Sequence, residues 1–151
     1  MKEFTSIDDI LDFAIEEEQK AVDFYTDLAG RSTSEEMKKV FKEFAMEEVS
    51  HKARLTGIKE QGLFEVTFEK VADLKIADYV VNVKPSPEMS YRDALVMAMN
   101  KEKAAFKLYT KLAERAPNDK LRDLFLSLAQ EESRHKLRFE LEYDEFVLRE
   151  N

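Results

Sequence analysis

The sequence predicts an all-α fold, a four-helix bundle assembled from two copies of one helical hairpin and joined by a long crossover. Three observations carry that prediction. Gly and Pro are scarce, three of each in 151 residues, while apolar residues make up 44% and charged residues 37%. That balance suits amphipathic helices with a charged outer face. Residues 6–54 set against residues 90–138, at a constant offset of 84 and without a gap, are identical at 18 of 49 positions. Finally, about 28 residues separate the copies, from Gly62 to Met89, and they hold Pro85 and Pro87 and lack a sustained apolar stripe. At ~3.3 Å per extended residue such a connection can travel the length of a long helix.

Each copy reads as two helices. Ser6 and Asp9 match Ser90 and Asp93, each pair a Ser-x-x-Asp capping signal that opens a helix. The first helix runs from about Ser6 to Ala29 on Ile7, Ile10, Leu11, Ala14, Ile15, Ala21, Val22, Tyr25 and Leu28. Gly30 and the run Ser32-Thr33-Ser34 are expected to break it and to cap the second helix. That helix spans about Glu35 to Lys59 on Met37, Val40, Phe41, Phe44, Leu55 and Ile58. The third runs from Ser90 to near Arg115, where Pro117 and Asn118 make the turn. The fourth carries Leu121, Leu124, Phe125, Leu128, Phe139 and Tyr143 and reaches towards Leu148. Short turns inside each copy imply antiparallel hairpins, over about 6–60 and 90–149, in one domain spanning 1–151. A short helix is expected within Val71 to Val81 of the crossover.

The absences narrow the function. Without Cys there is no disulfide, thiolate metal site or thiol nucleophile. A net charge of −8 disfavours nucleic acid and anionic membrane as partners. No apolar run approaches a membrane span, and Met1 to Ile10 carries three acids, unlike a secretory signal, so a cytoplasmic location is expected.

Charge then falls where a core should be. Positions 11, 14, 18, 21, 25 and 28 alternate steps of three and four and face one way, with Glu18 the only acid among them. Positions 95, 98, 102, 105, 109 and 112 repeat the pattern around Glu102. The stripes of the second and fourth helices are each interrupted by Glu-x-x-His, Glu48 with His51 and Glu132 with His135, and these are the only two histidines. One acid in an apolar stripe is usually an edge residue, and one Glu-x-x-His is a weak signal. Six such positions in four matching helices are a different matter. Four carboxylates buried together must take up protons or recruit cations. Glu and His three apart lie about 60° apart around a helix, so both can reach one metal. One Glu from each of two helices plus Glu-x-x-His from each of two more is the inventory of a ferritin-like di-iron or di-manganese bundle. Oxygen and imidazole ligands suit iron or manganese, with zinc as an adventitious occupant. Glu47 and Glu131 also repeat, four residues before each histidine, as rival ligands or as solvated or supporting neighbours. Tyr25 and Tyr109, seven residues after Glu18 and Glu102, share their face and are either core tyrosines or donors to ligand carboxylates.

The strings EEEQKAVDFY, FAMEEVSHK, NKEKAAFKLY and LAQEESRHK resemble the ferritin-like domain of the rubrerythrin family, and the resemblance covers nearly the whole chain. It implies that Glu18, Glu48, His51, Glu102, Glu132 and His135 hold two iron ions. It implies reduction of hydrogen peroxide, with oxygen as the competing oxidant, and a homodimer. Rubrerythrins proper also carry a rubredoxin-like domain with Cys-bound iron. This chain has no Cys, so an external donor such as a rubredoxin-type protein is expected. They also carry a further Glu three residues after the third-helix ligand, where this chain has Ala105. The alternative is a non-catalytic iron-binding or ferroxidase module. A hydroxylase acting on lipid or RNA fits the acidic surface poorly, and a metal-free helical interaction protein leaves the buried acids unexplained.

Overall fold

The computed structural model describes residues 6–32, 34–65, 74–75, 78–81, 86 and 88–150. Among these residues lie four α-helices: α1 (Ile7–Arg31), α2 (Glu35–Glu60), α3 (Tyr91–Arg115) and α4 (Asp119–Glu150). The capping signals act as their chemistry requires. Ser6 Oγ accepts from Asp9 N at 3.2 Å and Ser90 Oγ from Asp93 N at 3.0 Å. Ser34 opens α2 by accepting from Met37 N at 3.3 Å, and Asn118 Oδ1 opens α4 by accepting from Leu121 N at 2.9 Å. α2 ends in a left-handed Gly62, φ 61°, with Leu63 N bonded to Ile58 O and Gly62 N to Lys59 O. Gly30 does not break α1 as expected. The helix runs through it to Arg31, because nothing there asks for a left-handed residue and Ser32 supplies the exit.

The helices pair within each hairpin, α1 on α2 and α3 on α4, and the hairpins meet across the line of buried acids. The apolar core is split in two. One cluster is centred on Ile10, Leu11, Leu55, Leu112, Phe125 and Leu128, and the other on Tyr25, Leu28, Phe41, Leu95, Ala98 and Phe139. Leu74 and Tyr79 of the crossover are buried in the first cluster. Of the segment 71–81, where a short helix is expected, residues 71–73 and 76–77 lie outside the described residues, and among the others Asp78 N donates to Lys75 O at 3.1 Å in a turn. No helix among the described residues is long and apolar enough to cross a membrane.

Candidate metal centre

Between the two apolar clusters lie Glu18, Glu48, His51, Glu102, Glu132 and His135, each at most 3% exposed. α1 and α3 each turn one Glu, and α2 and α4 each a Glu and a His, from mostly apolar stripes to the same depth, which is why six polar side chains from distant parts of the chain meet. They form two groups whose facing atoms lie within 4.8 Å of one another: Glu18, Glu48, His51 and Glu132, and Glu48, Glu102, Glu132 and His135. Glu48 and Glu132 belong to both. His51 Nδ1 is 3.3 Å from Glu48 Oε1 and 3.2 Å from Glu132 Oε1, and His135 Nδ1 is 3.6 Å and 3.8 Å from the same two oxygens. The outer acids divide, with Glu18 Oε2 3.5 Å from His51 Nδ1 and Glu102 Oε1 3.5 Å from His135 Nδ1.

Among the described residues, six buried side-chain polar atoms have no hydrogen-bond partner: Glu18 Oε2, Glu48 Oε1, His51 Nδ1, Glu102 Oε2, Glu132 Oε1 and His135 Nδ1. An orphaned buried polar atom costs ~1–3 kcal/mol, and six in one place cannot be left so. One atom from each of six side chains, all converging, is a donor set that could hold metal, and Glu48 and Glu132 stand in both of its groups. Carboxylate oxygen with imidazole nitrogen fits iron or manganese.

Four further polar atoms of the cluster are held by partners that obey the 84-residue repeat. Tyr25 Oη donates to Glu102 Oε1, and Tyr109 Oη donates to Glu18 Oε1. Both tyrosines are buried core residues, and both donate to carboxylates of the cluster, so the two readings open in the sequence hold together. His51 Nε2 meets Glu131 Oε2 at 2.8 Å, and His135 Nε2 meets Glu47 Oε2. Each pair joins one hairpin to the other. Glu47 and Glu131 therefore lie outside the cluster but are not merely solvated: each fixes the tautomer that leaves Nδ1 free to face the centre. Arg134 Nη2, 3.2 Å from Glu47 Oε1, and Arg54 Nη1, 3.6 Å from Glu131 Oε2, hold these acids in turn. Glu47→Ala and Glu131→Ala are expected to lower metal affinity about 10–100-fold without abolishing binding, the range for carboxylates behind a ligand histidine. Isothermal titration with a divalent metal measures this, and wild-type affinity in both variants would contradict it.

Without metal, the cluster's charges collide. Burial, then the neighbouring carboxylates, push Glu48 and Glu132 well above the usual carboxylate range. Burial works to lower His51, but contact with Glu18 and the charges of Glu48, Glu18 and Glu131 outweigh it and raise the imidazole to about 9. His135 is raised against the same opposing burial, chiefly by Glu102 and Glu47. Burial and the adjacent acids likewise raise Tyr25 and Tyr109, so both hydroxyls stay protonated and donating.

Sequence reasoning passed over one buried acid. Glu142, seven residues after His135 on the same stripe, is 2% exposed and accepts from Tyr91 Oη at 2.9 Å. Its position on the stripe was the available signal, and its lack of a counterpart in the first copy, where Ile58 stands, hid it.

Neither the curated proteins nor the solved structures gave a match. The family model described as Rubrerythrin does match, over residues 9–91 and 93–151. The split falls at the start of the second hairpin, and between them the two stretches take in all six converging side chains. With that coverage, the chain belongs to the rubrerythrin family.

Proposed function

We propose that this protein is a di-iron oxidoreductase that reduces hydrogen peroxide with electrons from a donor outside these residues, such as a rubredoxin-type protein. The observation that supports it most is a cavity of about 30 Å³ between α1 and α3, walled by Glu18, Glu48, Glu102, Glu132, Tyr25 and Tyr109. That space is walled by the carboxylates that would hold the metals, and it leaves room only for a substrate of a few atoms rather than a bulky organic one. Two bound irons would supply the two electrons that cleaving an O–O bond consumes, and the positive charge that stabilises the separating oxygens. The chain supplies the rest. Glu48 and Glu132 reach both halves of the centre and hold them together. Tyr25 and Tyr109 keep Glu102 and Glu18 turned to their places and put two O–H groups into the cavity wall. Ala14, Ala21, Ala104 and Ala105 keep that wall short, and the two buried apolar clusters flank the centre on either side. Reduction of one peroxide takes two electrons and two protons and leaves two waters.

One feature favours the second reading, a non-catalytic iron-binding or ferroxidase module. Ala21 and Ala105 stand at equivalent places three residues after Glu18 and Glu102, so neither half has a further carboxylate on which a metal could move. Stopped-flow oxidation of the Fe(II) form separates the two. Peroxide is expected to react faster than oxygen at equal concentration, and sustained turnover is expected only when a reductant is added. Oxygen reacting as fast as peroxide, with no turnover in the presence of donor, selects the iron-binding module.

A further inference from the structure

The two halves of the bundle differ in what leads away from the centre. Phe44 stacks on the His135 ring at 3.9 Å between centroids, Phe139 lies 5.4 Å from Phe44 and 5.3 Å from Tyr25, and Phe41 lies 5.8 Å from Phe139. Tyr91 follows at 6.2 Å from Phe41, and Phe146 at 5.1 Å from Tyr91. These are contact distances for aromatic pairs, so rings touch in series from a site histidine to the end of the bundle. The repeat provides an internal control. In the other half the places of Phe44, Phe139 and Tyr91 are held by Leu128, Leu55 and Ile7. Packing alone therefore accepts aliphatic side chains there.

The far end of the series is also polar where its counterpart is apolar. Tyr91 donates to Glu142 Oε2 at 2.9 Å, and Arg149 Nη2 lies 3.6 Å from the same oxygen. Ile7 and Ile58 occupy the equivalent places. A cavity of about 90 Å³, lined by Arg31, Ser32, Tyr91, Glu142, Phe146 and Arg149, brings this pair to the half-exposed end of the bundle. A phenol hydrogen-bonded to a carboxylate can lose an electron and a proton together, which a phenylalanine cannot do.

We infer that Tyr91, with Glu142 as its proton acceptor, is an electron relay between the protein surface and the His135 half of the centre, through Phe41, Phe139 and Tyr25. The inference rests on the redox reading of the site. In the relay step Tyr91 gives one electron towards the oxidised centre and its hydroxyl proton to Glu142. This leaves a neutral tyrosyl radical and a protonated carboxyl group. An outer-sphere one-electron donor at the surface then returns the electron, and Glu142 returns the proton. With no Cys among these 151 residues, none of them holds thiolate-bound iron, so electrons for the centre come from a donor outside them and enter through the protein surface.

Flash photolysis with ruthenium tris-bipyridine and a sacrificial acceptor tests the relay in the full chain. In the zinc-loaded protein, EPR is expected to show a tyrosyl radical that Tyr91→Phe abolishes, Tyr143→Phe leaves intact and Glu142→Gln reduces several-fold in yield. In the Fe(II)-loaded protein the radical should decay about tenfold faster, because the centre now donates to it. Phe139→Leu, which copies Leu55 of the other half, should slow that decay again. Phe139→Leu keeps a side chain that the fold accepts in its other half, and thermal unfolding checks that all four variants fold. A radical that survives Tyr91→Phe, or a decay indifferent to iron or to Phe139→Leu, overturns the relay. Elemental analysis of the iron-loaded protein is read separately: absence of iron overturns the di-iron reading and the relay with it.

Discussion

Glu48→Ala and Glu132→Ala are each expected to empty both halves of the centre, whereas Glu18→Ala and Glu102→Ala should each cost about one metal ion of the two expected per chain. The asymmetry follows from membership. Glu48 and Glu132 face both histidines, and their Oε1 atoms lie within 3.8 Å of each Nδ1. Removing one takes a donor from both cations and leaves them closer to uncompensated repulsion. Glu18 and Glu102 each serve one half. The variants at Glu47 and Glu131 should fall between these and wild type, since they act through the histidines. Elemental analysis of protein from iron-replete cells, purified anaerobically, gives the occupancies directly. Equal losses in the Glu18 and Glu48 variants would deny the shared role, and a full loss in Glu47→Ala with none in Glu48→Ala would move the ligand register by one residue.

That ranking was only partly legible in the sequence. The repeat placed Glu18 with Glu102 and His51 with His135 because spacing along a helix determines facing, and facing decides burial. The same rule put Glu47 and Glu131 beside the stripe without saying what they touch. Their partners are histidines 80 or more positions away on the other hairpin, and intrahelical spacing carries no information about a contact between hairpins. Gly30 shows the opposite limit. Its composition signals a break, but α1 continues through it because Leu28 and Ala29 are buried and the serine that ends the helix comes two residues later. Glu142 escaped notice because the first copy holds Ile58 at its place and acids such as Glu140, Asp144 and Glu145 surround it in the sequence, so it reads as solvated. It is buried because Tyr91 and Arg149 meet it there.

The metal-free protein should lose stability as pH rises from about 6.5 to 9, while the metal-loaded protein should not. A group whose pKa is raised on folding stabilises the fold below its unfolded value, and that contribution disappears as pH climbs through the folded value. His51 is raised from 6.5 to about 9, which corresponds to about 3 kcal/mol lost across that window. His135 is raised in the same direction. Glu48 and Glu132 add to the effect, because their raised values mean that ionising them inside the bundle costs more than ionising them in the unfolded chain. For a chain of this size, 3 kcal/mol is roughly 6–12 °C in Tm. Bound cations reverse the sign. They need the carboxylates ionised and the Nδ1 atoms unprotonated, so binding releases protons and strengthens as pH rises. The gap in Tm between loaded and chelator-treated protein should therefore widen from pH 6.5 to pH 9, by the fall in one curve and the rise or plateau of the other. Calorimetry of both forms across that range decides it. A metal-free Tm that stays level or rises would mean that the six orphaned atoms find other partners once the metals leave.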